Sequence, residues 1–175
     1  MSAIEPKEFS QPTSKLWERV NATTIRVILK SQNGVREGSH QGRQSGTVLV
    51  ERAGRYLFVD GMQVCLFTTD EQRRLDSHEI SDLRKQLLQK EVLHPNVLDA
   101  CIEADMLPES WKMDAAGDSD FICFWGVVFQ TDEGALFVRC VQWHDHKKEW
   151  VRRNLYLKNL PTVGMRYPAA VVVKP

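Results

Sequence analysis

Phe121-Ile122-Cys123-Phe124-Trp125-Gly126-Val127-Val128-Phe129-Gln130 is the densest apolar run of the chain, apolar at odd and even positions alike. A strand with one wet face alternates, so this run reads as a central strand covered on both sides. Thr131-Asp132-Glu133-Gly134 follows, a type I turn ending in glycine, and returns the chain as Ala135 to His144. Pairing Gln130 with Ala135 sets Trp125 across from Cys140 and Ile122 across from Trp143. A third strand over Glu149 to Leu157, after a turn at Asp145 to Lys148, brings Trp150 beside Trp143 on one face. Beyond it, Asn159 to Pro168 reads as irregular and Ala169 to Val173 as a short edge strand.

Upstream of that run the pattern turns helical. Thr69-Asp70-Glu71-Gln72 matches a capping box, opening a helix with Leu75, Ile80, Leu83, Leu87 and Leu88 near helical spacing and a restart allowed at Asp76-Ser77. Pro95 suits the first turn of a second helix, whose face of Val97, Leu98, Cys101 and Ile102 runs on toward Pro108. Met113 to Ser119 is a polar connector to the dense run.

Nearer the N-terminus, Thr24 to Lys30 alternates as a strand. Thr47 to Val50, Arg55 to Val59 and Met62 to Phe67 form a meander, joined through Glu51-Arg52-Ala53-Gly54 and the type I′ signal Asp60-Gly61. Ser31 to Gly46 carries Gly34, Gly38, Gly42 and Gly46 and almost nothing apolar, which reads as a long loop. Its Arg36, Arg43 and His40 could meet a phosphate, but no phosphate-loop pattern is present and a solvated connector is the better reading. Residues 1–20 read as a flexible arm.

The expected class is therefore α+β: an N-terminal antiparallel β-meander, two central helices, and a C-terminal antiparallel β-meander rich in aromatics. It would pack over residues 21–175 as one domain, or as two lobes, 21–68 and 69–175.

Asn96-Val97-Leu98-Asp99, Leu107-Pro108-Glu109-Ser110-Trp111-Lys112, Phe124-Trp125-Gly126, Val138-Arg139-Cys140 and Pro168-Ala169-Ala170-Val171 occur in this order. The stretch resembles a group of small, largely uncharacterised bacterial and phage proteins. The resemblance covers less than half of the chain and implies a bacterial or phage source. It carries no catalytic or ligand-binding residue with it.

Lysine plus arginine equals aspartate plus glutamate, 23 each, so no global field draws the molecule to nucleic-acid backbones or anionic membranes. No apolar run approaches the roughly 20 residues of a membrane span, and the N-terminus lacks an export signal, so a cytoplasmic protein without membrane contact is expected. Cys65, Cys101, Cys123 and Cys140 are widely separated, form no C-x-x-C pair and sit among apolar neighbours, as reduced buried thiols do.

Three constellations could carry function. His144, Asp145 and His146 place two imidazoles and a carboxylate together, a set able to ligate a metal for hydrolysis. Lys147 and Lys148 beside them oppose a dication, and a polar hairpin tip is the plainer reading. A cysteine nucleophile would need a histidine brought near in space, and no nucleophile motif surrounds any of the four. The scattered acids Glu103, Asp105, Glu109, Asp114, Asp118 and Asp120 suggest no acid/base pair.

Single-stranded nucleic acid could stack on the aromatics of the C-terminal sheet, with Arg139, Arg152, Arg153 and Lys158 on its phosphates. The same aromatics equally fill a core. Protein contact needs no motif: Trp143, Trp150 and Tyr156 would anchor a partner or a second copy if their face is open. The leading expectation is a non-enzymatic binding or regulatory module acting through protein contacts. No cofactor is implied.

Overall fold

The structure is a computed structural model and describes residues 15–30, 45–74, 80–112, 121–159 and 167–174. Alternation builds its first half. β1 (Trp17–Asn21), β2 (Thr24–Leu29), β3 (Gly46–Ala53), β4 (Tyr56–Val59) and β5 (Met62–Phe67) pair antiparallel in sequence order. Their turns follow backbone chemistry: Gly54 has φ +60, and Asp60 and Gly61 have φ 48 and +78, both positive as a type I′ turn requires.

Two short helices follow, α1 (Asp70–Arg74) and α2 (Ile80–Leu87), then the two-residue strand β6 (Glu91–Val92) and a third helix, α3 (Pro95–Glu103). The last part holds β7 (Ile122–Gln130), β8 (Leu136–His144), β9 (Glu149–Tyr156) and β10 (Ala169–Val172), with a 3₁₀ turn at Leu157–Asn159.

The α+β expectation is overturned. The described residues are mostly strand, and the strands form one curled half-barrel sheet with three short helices. The order is β1-β2-β3-β4-β5-β10-β7-β8-β9, with β6 pairing β10 off this path. What reads as two separate meanders is joined by β10, which runs antiparallel to β5 and meets β7 parallel at Ala169 and Cys123. Ala169 to Val173 is thus the seam of the sheet, not its edge. Its four residues are all buried, too few to show a period.

Other expectations are corrected as well. The arm expected over 1–20 ends sooner, since Trp17–Asn21 is a strand; residues 1–14 lie outside the described residues. The first helix is described over α1 and α2; 75–79 between them, with Leu75 and the restart allowed at Asp76-Ser77, lie outside the described residues. Thr69 Oγ1 accepts from the Gln72 amide at 3.2 Å, but the Gln72 side chain is buried without returning a bond. The loop 31–44, with Arg36, His40 and Arg43, and the connector 113–120 lie outside the described residues.

The register in the dense run also differs. Gln130 pairs with Leu136, but Cys123 pairs with Cys140 and Ile122 with Val141, because β7 bulges between Phe124 and Phe129. Gly126 explains the bulge. Its N–H donates to the Leu93 carbonyl at 2.8 Å, and a Cβ there would lie 2.5 Å from that oxygen and 2.6 Å from His94 Cα. Only glycine lets the backbone before α3 cross β7 this closely.

The two faces of the sheet carry two cores. On the inner, concave face α3 packs Val97, Leu98, Ala100 and Cys101 against Ile25, Val27, Val50, Leu57, Phe124 and Val141. On the outer face Leu83 and Leu87 of α2 cover Trp125, Val138, Cys140, Tyr167 and Val171. That is why β7 carries no polar side chain from Ile122 to Phe129.

Both ends of α3 are determined. His94 is the N-cap, its Nδ1 accepting from the Asn96 amide at 3.1 Å, with Pro95 in the first turn. At the other end Asp105 adopts φ 55. Met106 N then bonds to Cys101 O (2.8 Å) and Asp105 N to Ile102 O (3.3 Å), the Schellman pattern. Among the described residues no helix is long and apolar enough to cross a membrane.

Candidate functional site

β8 and β9 pair without a break over eight residue pairs, from Phe137↔Tyr156 to His144↔Glu149. This register divides the expected binding residues between two faces. Trp143, Trp150, Arg139, Arg152 and Tyr156 share the concave face with Phe137, whereas Arg153 lies on the outer face opposite Cys140.

Trp143 and Trp150 meet edge to face, with ring centroids 5.2 Å apart. They are half-buried and packed against the inner core, and Lys112 Nζ sits 3.9 Å above the Trp143 ring. They staple the hairpin. A second aromatic row crosses the far end of the same face: Phe129 stacks on Phe137 at 5.1 Å, and Phe137 leans on Tyr156 at 5.5 Å. This row ends at the last strand of the sheet, with Phe137 and Tyr156 only partly buried.

Arg139 and Arg152 are held by α3. Arg152 Nη1 lies 3.1 Å from Asp99 Oδ1, its Nη2 lies 3.8 Å from Glu103 Oε1, and Arg139 Nη1 lies 3.7 Å from Asp99 Oδ2. From the other end of the sheet, Trp17 Nε1 donates to Glu103 Oε2 at 2.7 Å and Arg19 Nη2 to the Ala104 carbonyl at 2.8 Å. The acidic side of α3 therefore spans the opening between β1 and β9. Burial holds the Asp99 carboxyl above its usual range, against the pull of Arg139 and Arg152. Asp99 carries no role in the sequence reading and Glu103 stands there only among the scattered acids; their i, i+4 spacing, which puts both on one helical face, was the available signal.

At the polar tip His144 and Asp145 each have a local hydrogen-bond partner. Asp145 is paired with Lys148 Nζ at 2.8 Å, which holds its carboxyl below the usual range. His144 Nδ1 accepts from the Lys147 amide at 3.2 Å, and His144 and His146 have ring centroids 6.2 Å apart. Among the described residues no group of three potential metal ligands comes together.

Among the described residues β9 pairs with β8 alone, which leaves one side of its backbone without a strand partner there. Which side each residue presents follows from one hydrogen bond. Cys123 N donates to the Pro168 carbonyl at 2.8 Å, on the β10 side. Antiparallel partners either exchange both main-chain bonds or neither, in alternation. Cys123 and Cys140 are then a non-bonded pair, and Cys140 turns its groups to β9, where Arg153 meets them. The parity runs on. Glu149, Val151, Arg153 and Leu155 bond β8, while the main-chain N–H and C=O groups of Trp150, Arg152, Asn154 and Tyr156 point outward. The other sheet edge, β1, has five residues and an irregular register between Arg19 and Asn21.

A groove of about 50 Å³ lies beside this edge, lined by Trp17, Asn96, Asp99, Ala100, Glu103 and Arg152 among others. A second cavity, about 30 Å³, is lined by Leu29, Val48, Met62, His94 and Val172 among others. Its volume fits one or two waters rather than a substrate. His94 is 2% exposed, and its Nε2 is buried without a hydrogen-bond partner among the described residues. No protein-family model, curated protein or solved structure matches the chain.

Proposed function

We propose that this protein is a binding module that takes up an extended segment of a partner protein as a further strand along β9. The observation carrying this reading is the unbroken eight-pair register of a terminal strand whose outer main-chain groups meet no strand among the described residues. Such an edge is a template for strand addition. The neighbouring side chains indicate what the segment looks like. Tyr156, backed by Phe137, offers an apolar seat on one face. Arg153 is exposed on the other and has no ion-pair partner among the described residues.

The matching segment thus alternates apolar and acidic residues. A second copy is disfavoured as occupant, because pairing two β9 strands about their middle sets Arg152 and Arg153 against like charges. Nucleic acid is the weaker reading, since Arg139 and Arg152 are held by Asp99 and Glu103.

A displayed library of random peptides tests this, selected on the wild-type protein and counter-selected on Asn154→Pro, which removes one outward N–H. Expected are peptides of alternating apolar and acidic residues that bind the wild type and lose the variant. Selected peptides that bind both proteins equally, or the absence of any enriched peptide, would overturn the reading.

A further inference from the structure

Of the four cysteines, only Cys123 and Cys140 are strand partners. They are directly opposite on β7 and β8, both 0% exposed and both in the outer core. Because the pair is a non-bonded one, its Cα atoms lie about 4.5 Å apart, the closer of the two antiparallel spacings. That falls within the roughly 4.4–6.8 Å span that a disulfide bridges. After burial, the neighbouring Cys140 thiol is the next cause that raises the Cys123 pKa, and Cys140 Sγ lies 3.4 Å from the Arg153 carbonyl. Cys101 lies in the inner core and Cys65 pairs with Val171, so neither has a thiol in register.

We propose that Cys123 and Cys140 are a modification site: a cross-strand disulfide formed by exchange with a low-molecular-weight disulfide such as oxidised glutathione. One cysteine thiolate attacks a glutathione sulfur and releases one glutathione thiolate. The second cysteine then attacks the mixed disulfide and releases the other. Two protein thiols are oxidised, one glutathione disulfide is reduced to two glutathione thiols, and two protons pass to them. Burial protects the thiols in the folded chain and raises the Cys123 pKa, so the exchange belongs to the hairpin while it forms or opens. Once made, the bond ties β8, the strand beneath the open edge, to the centre of the sheet.

The test is to refold the reduced, unfolded full-length chain in a buffer of oxidised and reduced glutathione, quench with acid, and map the products by mass. Expected are a product lighter by two hydrogens, two of the four cysteines left for alkylation, and a peptide joining Cys123 to Cys140. Cys140→Ser and Cys123→Ser should each give no internal disulfide. Four free thiols, a lasting glutathione adduct, or a bond involving Cys65 or Cys101 would overturn the proposal.

Discussion

Arg152 on the last strand of the sheet reaches Asp99 on α3 at 3.1 Å. Burial nevertheless outweighs the two neighbouring arginines and keeps the Asp99 pKa above the ordinary carboxyl value of 3.8. A carboxyl raised in the folded state holds its proton longer there than in the unfolded chain. Its contribution to stability is therefore complete at low pH and is lost as pH rises from 3.8 through the folded value. In urea titrations across that window, the wild type should lose stability relative to Asp99→Asn as pH rises. A constant difference between the two would contradict this placement.

His94 has the opposite sign in the sense of its proton. Burial lowers its pKa from 6.5 to about 4, so the unfolded chain takes up a proton that the folded chain refuses. Stability should be complete above pH 6.5 and fall as the pH drops toward about 4, by roughly 3 kcal/mol at most. His94→Asn keeps an N-cap acceptor for α3 and should remove this slope. Urea midpoints for both proteins at neutral and mildly acidic pH decide it.

Gly126 is fixed by the close pass of Leu93 and His94, where an added Cβ would meet the Leu93 oxygen at 2.5 Å. Gly126→Ala should destabilise by about 1–3 kcal/mol, the usual cost of overpacking. Chemical denaturation measures it; a variant as stable as the wild type would contradict the bulge.

Much of this was legible in the sequence, and what was not shares one physical cause. Asp60-Gly61, Thr131 to Gly134 and the facing Trp143 and Trp150 depend on neighbours a few residues apart, so local chemistry specifies them. Gly126 packs against Leu93 and His94, and β10 joins β5 to β7 across about half the chain; neither contact leaves a local pattern. That is why the sheet reads as two meanders, why the register slips beyond Phe124, and why Arg139 and Arg152 look free until Asp99 is placed under them. The run from Phe121 to Phe129, without a polar side chain, did announce cover on both faces.

The alternation along β9 makes a paired prediction. Proline is tolerated at an edge where its missing N–H would face solvent, so Asn154→Pro should keep a urea midpoint close to that of the wild type. Arg153→Pro removes a bond to β8 and orphans its acceptor, which should cost roughly 2–4 kcal/mol. Equal effects would show the parity to be misassigned.

Residue-resolved amide hydrogen exchange of the free protein by nuclear magnetic resonance tests the open edge most directly. Expected is alternation: fast exchange at Trp150, Arg152, Asn154 and Tyr156, and slow exchange at Val151, Arg153 and Leu155. Equal protection of both sets would mean that β9 is already covered, and strand addition along it would have to be abandoned.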